Sequence, residues 1–259
     1  MSDAFQKIFP RAYFSRLLEK NLRADGRSVD EVRKTRVVLQ AVSSADSSAL
    51  CTIGRTSAIC GIRYEVGPPH SSKPSSARID IKVELGGLCS PNPNEAFPIK
   101  MEQALRRLVE AGFVDLEDLC ILERKAVWVL KCHLICLDDD GNLFDACVLA
   151  FTSALRDLKL PSDIVLPEDG VVRIMSPKHE KPVRTRFSPV ALTFGLFDDG
   201  QVLLADPSAE EEQVLEALVH VVADVTSGNS IAVVKQGGPA LSVAKLDECL
   251  IKCQSRVIL

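Results

Sequence analysis

Residues Ala126 to Leu137 read Ala-Val-Trp-Val-Leu-Lys-Cys-His-Leu-Ile-Cys-Leu, and a second apolar run opens soon afterwards at Leu143. The first run has the makings of a strand that is apolar on both faces, which belongs in the middle of a sheet. The second places Leu143, Cys147, Ala150, Phe151, Ala154 and Leu158 at helical spacing with almost no polar face, so it predicts a deeply buried helix. Asp140-Gly141 turns the chain between them. Asn142 is placed to cap the helix, with Asp145 at its third position.

At 259 residues the chain can be one large domain or two joined halves, and the pattern favours two halves. Strand-like pieces at 37–42, 49–53, 58–64 and 79–85 are β-branched and bounded by Gly, Ser and Asp, behind a short helix predicted over 10–21 with Tyr13, Leu17 and Leu18 on one face. Residues 67–77 have almost nothing to bury and read as a mobile surface loop. A helix over 99–111 carries Met101, Leu105, Leu108 and Val109 as its apolar stripe.

From Pro177 to Ser188 the chain carries Lys178, Lys181, Arg184 and Arg186 with two prolines, which suits a connection. The domain expectation is a first half over 1–165, a connecting segment over 166–186 and a second half over 187–259. In the second half, 190–197 and 202–205 predict a β-hairpin across Asp198-Asp199-Gly200. Residues 210–222 fit either a helix or a strand that pairs with 231–234 across Gly228-Asn229. A helix over 242–256 closes the chain.

Net charge is −4, so any contact with nucleic acid must come from local clusters or from basic partners. No apolar stretch reaches the length of a signal peptide core or a membrane span. Nine cysteines, an odd number set in apolar segments, read as core residues of a reducing compartment.

An ordered set of motifs then emerges: Arg23-Ala24-Asp25-Gly26-Arg27, Ser48-Ala49-Leu50-Cys51-Thr52-Ile53-Gly54, Thr56-Ser57-Ala58-Ile59-Cys60-Gly61, Leu137-Asp138-Asp139-Asp140-Gly141-Asn142-Leu143-Phe144-Asp145-Ala146, and Ala205-Asp206-Pro207-Ser208-Ala209-Glu210-Glu211-Glu212. Together they resemble the RNase PH family, in particular its non-catalytic ring subunits in the eukaryotic RNA exosome. The resemblance implies an α+β fold of two related halves, each a sheet packed by helices. It also implies a six-membered ring with other RNase PH-type subunits around an RNA channel, RNA-binding cap subunits and an associated hydrolytic ribonuclease. The implied roles are 3′ to 5′ RNA degradation, ribosomal RNA maturation and mRNA turnover, in nucleus, nucleolus and cytoplasm.

In active relatives the resemblance implies a Gly-Gly-Ser/Thr-Arg phosphate site at the start of the buried helix and two catalytic acids six residues apart in the second half. Laid on this chain, the first falls on Gly141-Asn142-Leu143-Phe144 and the second on Glu212 and Leu218. The hydroxyl, the guanidinium and one acid are therefore replaced, so no catalytic residue, metal or cofactor is expected. An active phosphate-dependent exoribonuclease is the competing reading, and an RNA-binding adaptor outside any ring is a third.

Cys132, His133 and Cys136 lack the further ligands of a structural zinc site, and on a strand the cysteines share one face with His133 on the other. Gly237-Gly238-Pro239 lacks the lysine of a phosphate loop. The family's channel-lining arginines come from the helix over 99–111, which makes Arg106 and Arg107 the RNA-binding candidates. Glu102 and Glu110 lie one turn either side of Arg106 and can neutralise it, whereas Arg107 has Gln103 and Ala111 there.

Overall fold

A computed structural model describes residues 6–71, 73–87, 89, 96–162, 164–165, 173–174, 180–198 and 200–256. The chain opens with α1 (Pro10–Leu18), whose proline occupies the first turn. Its buried residue is Phe14, flanked by half-buried Tyr13, Leu17 and Leu18, and it packs on Phe197 and Leu204 of the second half.

The first sheet contains β1 (Thr35–Leu39), β2 (Ser47–Ile53), β3 (Thr56–Gly67), β4 (Arg78–Leu85), β5 (Cys120–Leu122) and β6 (Ala126–Asp138). Its order is β1-β2-β3-β6-β4 with β5 paired to β6, and β4 runs parallel to β6. The long apolar strand is thus internal. Burial on both faces holds for Ala126 to Leu130; beyond it Cys132, Leu134 and Cys136 point inward while Lys131 and His133 face out. His133 meets Glu84 at 3.1 Å, and all nine cysteines are free thiols.

Helix α2 (Phe97–Glu110) packs on β4 and buries the predicted stripe of Met101, Leu105, Leu108 and Val109. Helix α3 (Leu143–Asp157) explains its own sequence: one side lies on β2 and β3, the other against the first strand of the second sheet. A helix with a sheet on both sides has no face left for polar residues.

The described residues around the connection are paired with other strands or anchored by acids. β7 (Lys159–Pro161) pairs with β10 (Glu180–Pro182), and β8 (Ile164–Val165) with β9 (Arg173–Ile174). Val183 is buried, Lys181 and Arg184 reach Asp118 at 2.9 and 3.8 Å, and Arg186 reaches Asp115 at 2.8 Å. Those three cations of the basic stretch are therefore engaged by acids of the first half, and Lys178 lies outside the described residues. The 67–77 segment is fastened at its end, where Ala77 is buried and its N–H reaches the Leu116 carbonyl at 2.9 Å.

The second sheet orders β11 (Pro189–Phe197), β12 (Val202–Ala205), β13 (Ala217–Asp224) and β14 (Ser230–Gly237) as β12-β11-β13-β14, all antiparallel. The ambiguous 210–222 segment divides: α4 (Ala209–Glu212) takes its start, and the strand begins only at Ala217. Glu211 decides this, because its carboxylate receives the Ser208 N–H at 2.8 Å as a capping box while it pairs with buried Arg23. α5 (Val243–Gln254), capped by Ser242, covers the sheet with Cys249 and Cys253.

Candidate functional site

The two halves meet in a buried polar cluster at the start of α3. Gly141 and Asn142 both take positive φ there, and a Cβ on Gly141 would sit 2.4 Å from the Ser208 carbonyl carbon, so the approach of the two chains requires glycine. Thr56 Oγ1 donates to the Gly141 carbonyl at 2.6 Å and accepts the Asp140 N–H at 3.0 Å.

Asp206 is the hub. Its carboxylate receives Arg33 at 2.9 Å, Arg27 at 3.0 Å and the Asn142 amide at 2.6 Å. Burial opposes its charge, yet the Arg33 guanidinium and these donors hold its pKa down at about 2. Asn142 differs from the cap expected of it. Its side chain makes no cap hydrogen bond and instead donates to Asp206 and Asp145, because the left-handed backbone turns it towards the second half. Asp145 likewise serves the junction: it accepts the Thr193 N–H at 3.1 Å, the Thr193 hydroxyl at 2.7 Å and Arg256 at 2.7 Å.

The two positions that follow Asn142 are apolar. Leu143 and Phe144 are buried, and Phe144 stacks on His220 with ring centroids 4.3 Å apart and planes at 24°. Gln236 Nε2 donates to His220 Nε2 at 3.0 Å, which leaves the proton on Nδ1. Nδ1 then donates to Thr193 Oγ1 at 2.8 Å, and that hydroxyl to Asp145, so every donor in the series points to one carboxylate. Burial, with Lys100 nearby, lowers the His220 pKa to about 4, and the ring is neutral at pH 7.

Glu212 accepts the Asn142 N–H at 2.7 Å. Burial pushes its pKa up to about 7, and the Asp139 and Asp206 carboxylates add to the rise. Leu218 lies on β13, paired with Gln236 and Gly195. Leu218 carries no ligand atom, and the Oε1 of Glu212 is taken by a backbone N–H. Among the described residues, no group of three His, Cys, Asp or Glu side chains sits together where it could hold a metal ion.

Beside Phe144 a cavity of about 310 Å³ opens between α2 and β14. Lys100 and Arg107 from the helix and Lys235 from the strand line it, with Gln103 and Gln236 between them. Arg106 is exposed but is not part of that lining. Its expected pairing with Glu102 is not formed, since Glu102 turns to the β4 edge and accepts the Val83 N–H at 3.1 Å. Neither arginine makes an ion pair with any described residue. Sequence reasoning missed Lys100 and Lys235. The spacing of Lys100, Gln103 and Arg107, at i, i+3 and i+7, marks one face of the helix and could have pointed to the first. Nothing local points to Lys235, which reaches the site through the strand pairing of the other half.

Two family models match the chain: the 3′ exoribonuclease family domain 1 over residues 31–161, and its domain 2 over residues 188–251. The chain is 32% identical over 257 residues to the exosome complex component rrp43 of Schizosaccharomyces pombe, covering 97% of this chain and 94% of that protein. It is 35% identical over 227 residues to the exosome complex component Rrp42 of Methanothermobacter thermautotrophicus, with 86% and 81% covered. Among solved structures it superposes on an archaeal exosome core with a TM-score of 0.81 at 29% identity, covering 98% of this chain and 95% of that one. It also superposes on an Archaeoglobus fulgidus exosome with RNA bound to the active site, with a TM-score of 0.79 at 32% identity and 94% and 93% covered. With both domains matched in order and an α+β fold whose two larger sheets pack on α3, this chain belongs to the RNase PH-type 3′ exoribonuclease family.

Proposed function

We propose that this chain is a non-catalytic ring subunit of an RNA exosome, built into a six-membered ring with other RNase PH-type subunits, and that it supports 3′ to 5′ RNA processing without cleaving RNA itself. The names and near-complete coverage of its relatives support ring membership. The observation that carries the non-catalytic reading is Phe144, a buried ring stacked on His220 where active relatives place a phosphate-binding guanidinium. The proposed division is a first half over 1–165 and a second over 187–259. RNA-binding cap subunits and a hydrolytic ribonuclease complete the assembly, in nucleus, nucleolus and cytoplasm.

The purified chain, given RNA, magnesium and phosphate, should release no nucleoside diphosphates above background. Phe144→Arg alone should not rescue it, because Leu143 and Leu218 still deny the phosphate and metal their ligands. Robust phosphate-dependent product from the unmodified chain would establish the competing reading, an active exoribonuclease.

Arg107 is proposed to contact RNA and Arg106 to contribute less, since only Arg107 lines the cavity beside Phe144. In the reconstituted ring, Arg107→Glu should weaken RNA binding and flatten its salt dependence by roughly one counterion, with assembly unchanged. Binding as tight as the parent's across a salt titration would reduce Arg107 to a solvated side chain.

A further inference from the structure

We infer that Cys89, Cys136 and Cys147 form a thiol relay, through which hydrogen peroxide closes a disulfide between Cys136 and Cys147 and ties the end of β6 to α3. The relay is a redox device of the fold and stands apart from both ring membership and RNA contact.

Three observations carry the assignment. The first is proximity. The sulfur atoms of Cys136 and Cys147 lie 3.6 Å apart, and both side chains are fully buried. A disulfide holds its sulfurs at roughly 2.0 Å, so the pair is already near bonding distance. The second is access. A fully buried pair is closed to an oxidant in solution, but Cys89 is only half-buried and its Sγ donates to the Cys136 carbonyl at 3.2 Å. A partly exposed thiol thus borders a buried pair, the arrangement of an oxidisable cysteine beside a resolving one. The third is position. Cys136 and Cys147 bracket the turn in which Thr56 holds the Gly141 carbonyl and Glu212 accepts the Asn142 N–H. A bond between them closes a covalent loop around the segment on which the two halves meet.

The chemistry balances in three steps. Cys89 attacks hydrogen peroxide, the O–O bond breaks, and Cys89 sulfenic acid forms with release of water. Cys136 then attacks the Cys89 sulfur, and the S–O bond breaks as the hydroxyl leaves with the Cys136 proton as a second water. Cys147 finally attacks the Cys136 sulfur, and Cys89 departs with the Cys147 proton as a free thiol. In sum two thiols and one peroxide become one disulfide and two waters, with two electrons passing from sulfur to oxygen. Burial and the neighbouring Cys136, with Asp139 and Asp138 beyond, push the Cys89 thiol up to about 11. Thiolate is therefore scarce at pH 7, and the relay answers to sustained oxidant rather than to a brief pulse.

The test uses the full-length folded chain, treated with hydrogen peroxide, quenched at intervals and mapped by mass spectrometry without reduction. The chain has nine free thiols, and two should disappear together as one cross-linked peptide pair containing Cys136 and Cys147. Dithiothreitol should restore all nine. The oxidised chain should melt about 5 °C or more above the reduced one, since the bond restrains the unfolded chain. Cys89→Ser, at a half-buried position, should slow the cross-link at least about tenfold, because the oxidant then has no entry. Cys147→Ala should instead trap the intermediate as a Cys89–Cys136 disulfide, and a melt of each reduced variant checks that it is folded. An unchanged rate in Cys89→Ser would overturn the relay. So would Cys89 passing to sulfinic acid with the buried pair still reduced, or cross-links scattered among other cysteines.

Discussion

Asp206→Ala is expected to cost about 3 to 5 kcal/mol of stability at pH 7, the typical penalty for removing one partner of a buried ion pair. Asp206 is fully buried and serves Arg27, Arg33 and Asn142 together, so its loss strands two guanidiniums and an amide away from water. Arg33 keeps the Asp140 and Gly141 carbonyls at 2.8 and 2.9 Å, which limits the damage on its side. Asp206→Asn tests the charge separately, because asparagine tolerates the positive φ of this position and retains an acceptor. It should cost less than the alanine change. Urea unfolding followed by the fluorescence of Trp128, the single tryptophan and a core residue, reads the difference. A loss below about 1 kcal/mol for the alanine variant would mean that water replaces the carboxylate without strain.

Acid should reproduce part of that effect in the parent protein. With the folded pKa of Asp206 depressed to about 2, its contribution is present above the unfolded value near 3.8 and is lost as pH falls through about 2.

Glu212→Gln should act in the opposite direction and depend on pH. The folded pKa of Glu212 is raised from 4.5 to about 7, so its favourable contribution is complete below pH 4.5 and is lost as pH rises through about 7. Above that range the parent bears a buried carboxylate at a cost approaching 3 kcal/mol by linkage. Glutamine keeps an oxygen to accept the Asn142 N–H and carries no charge. The variant should therefore match the parent near pH 4.5 and exceed it by about 2 to 3 kcal/mol near pH 8. His220 contributes the reverse slope. Its folded pKa of about 4 lies below the unfolded 6.5, so its contribution is present above 6.5 and is lost as pH falls towards 4. Since both chains carry His220, the difference between variant and parent isolates Glu212. Parallel stability curves for the two from pH 4.5 to 8 would show that Glu212 titrates as an ordinary surface acid.

How much of this was legible in advance follows from the range of the forces involved. The internal strand β6, the buried helix α3, the apolar stripe of α2 and the β11–β12 hairpin all announce themselves, because periodicity and turn chemistry act over a few residues. Leu143, Phe144 and Leu218 also stand out once the family resemblance is seen, since a side chain without a ligand atom is unfit wherever it is placed. Local signals failed where a distant group decides. Residues 210–222 were ambiguous because Arg23, far away in sequence, fixes Glu211 and with it the short helix before the strand. Asn142 carries the residue type of a helix cap, but Asp206 offers it a charged acceptor and wins.

The sequence by itself thus determined the internal strand β6, the depth of α3 and the apolar character of Leu143, Phe144 and Leu218, all consequences of residue type and short-range spacing. Only the tertiary structure decided which charges meet. It brought Arg23, Arg27 and Arg33 onto Asp206 and Glu211, tied Lys181, Arg184 and Arg186 to acids of the first half, and set Lys100 and Arg107 beside Lys235 across a cavity. A charge carries no periodicity that names its partner. Its worth depends on distance and on the water excluded around it, and both exist only once the chain has folded.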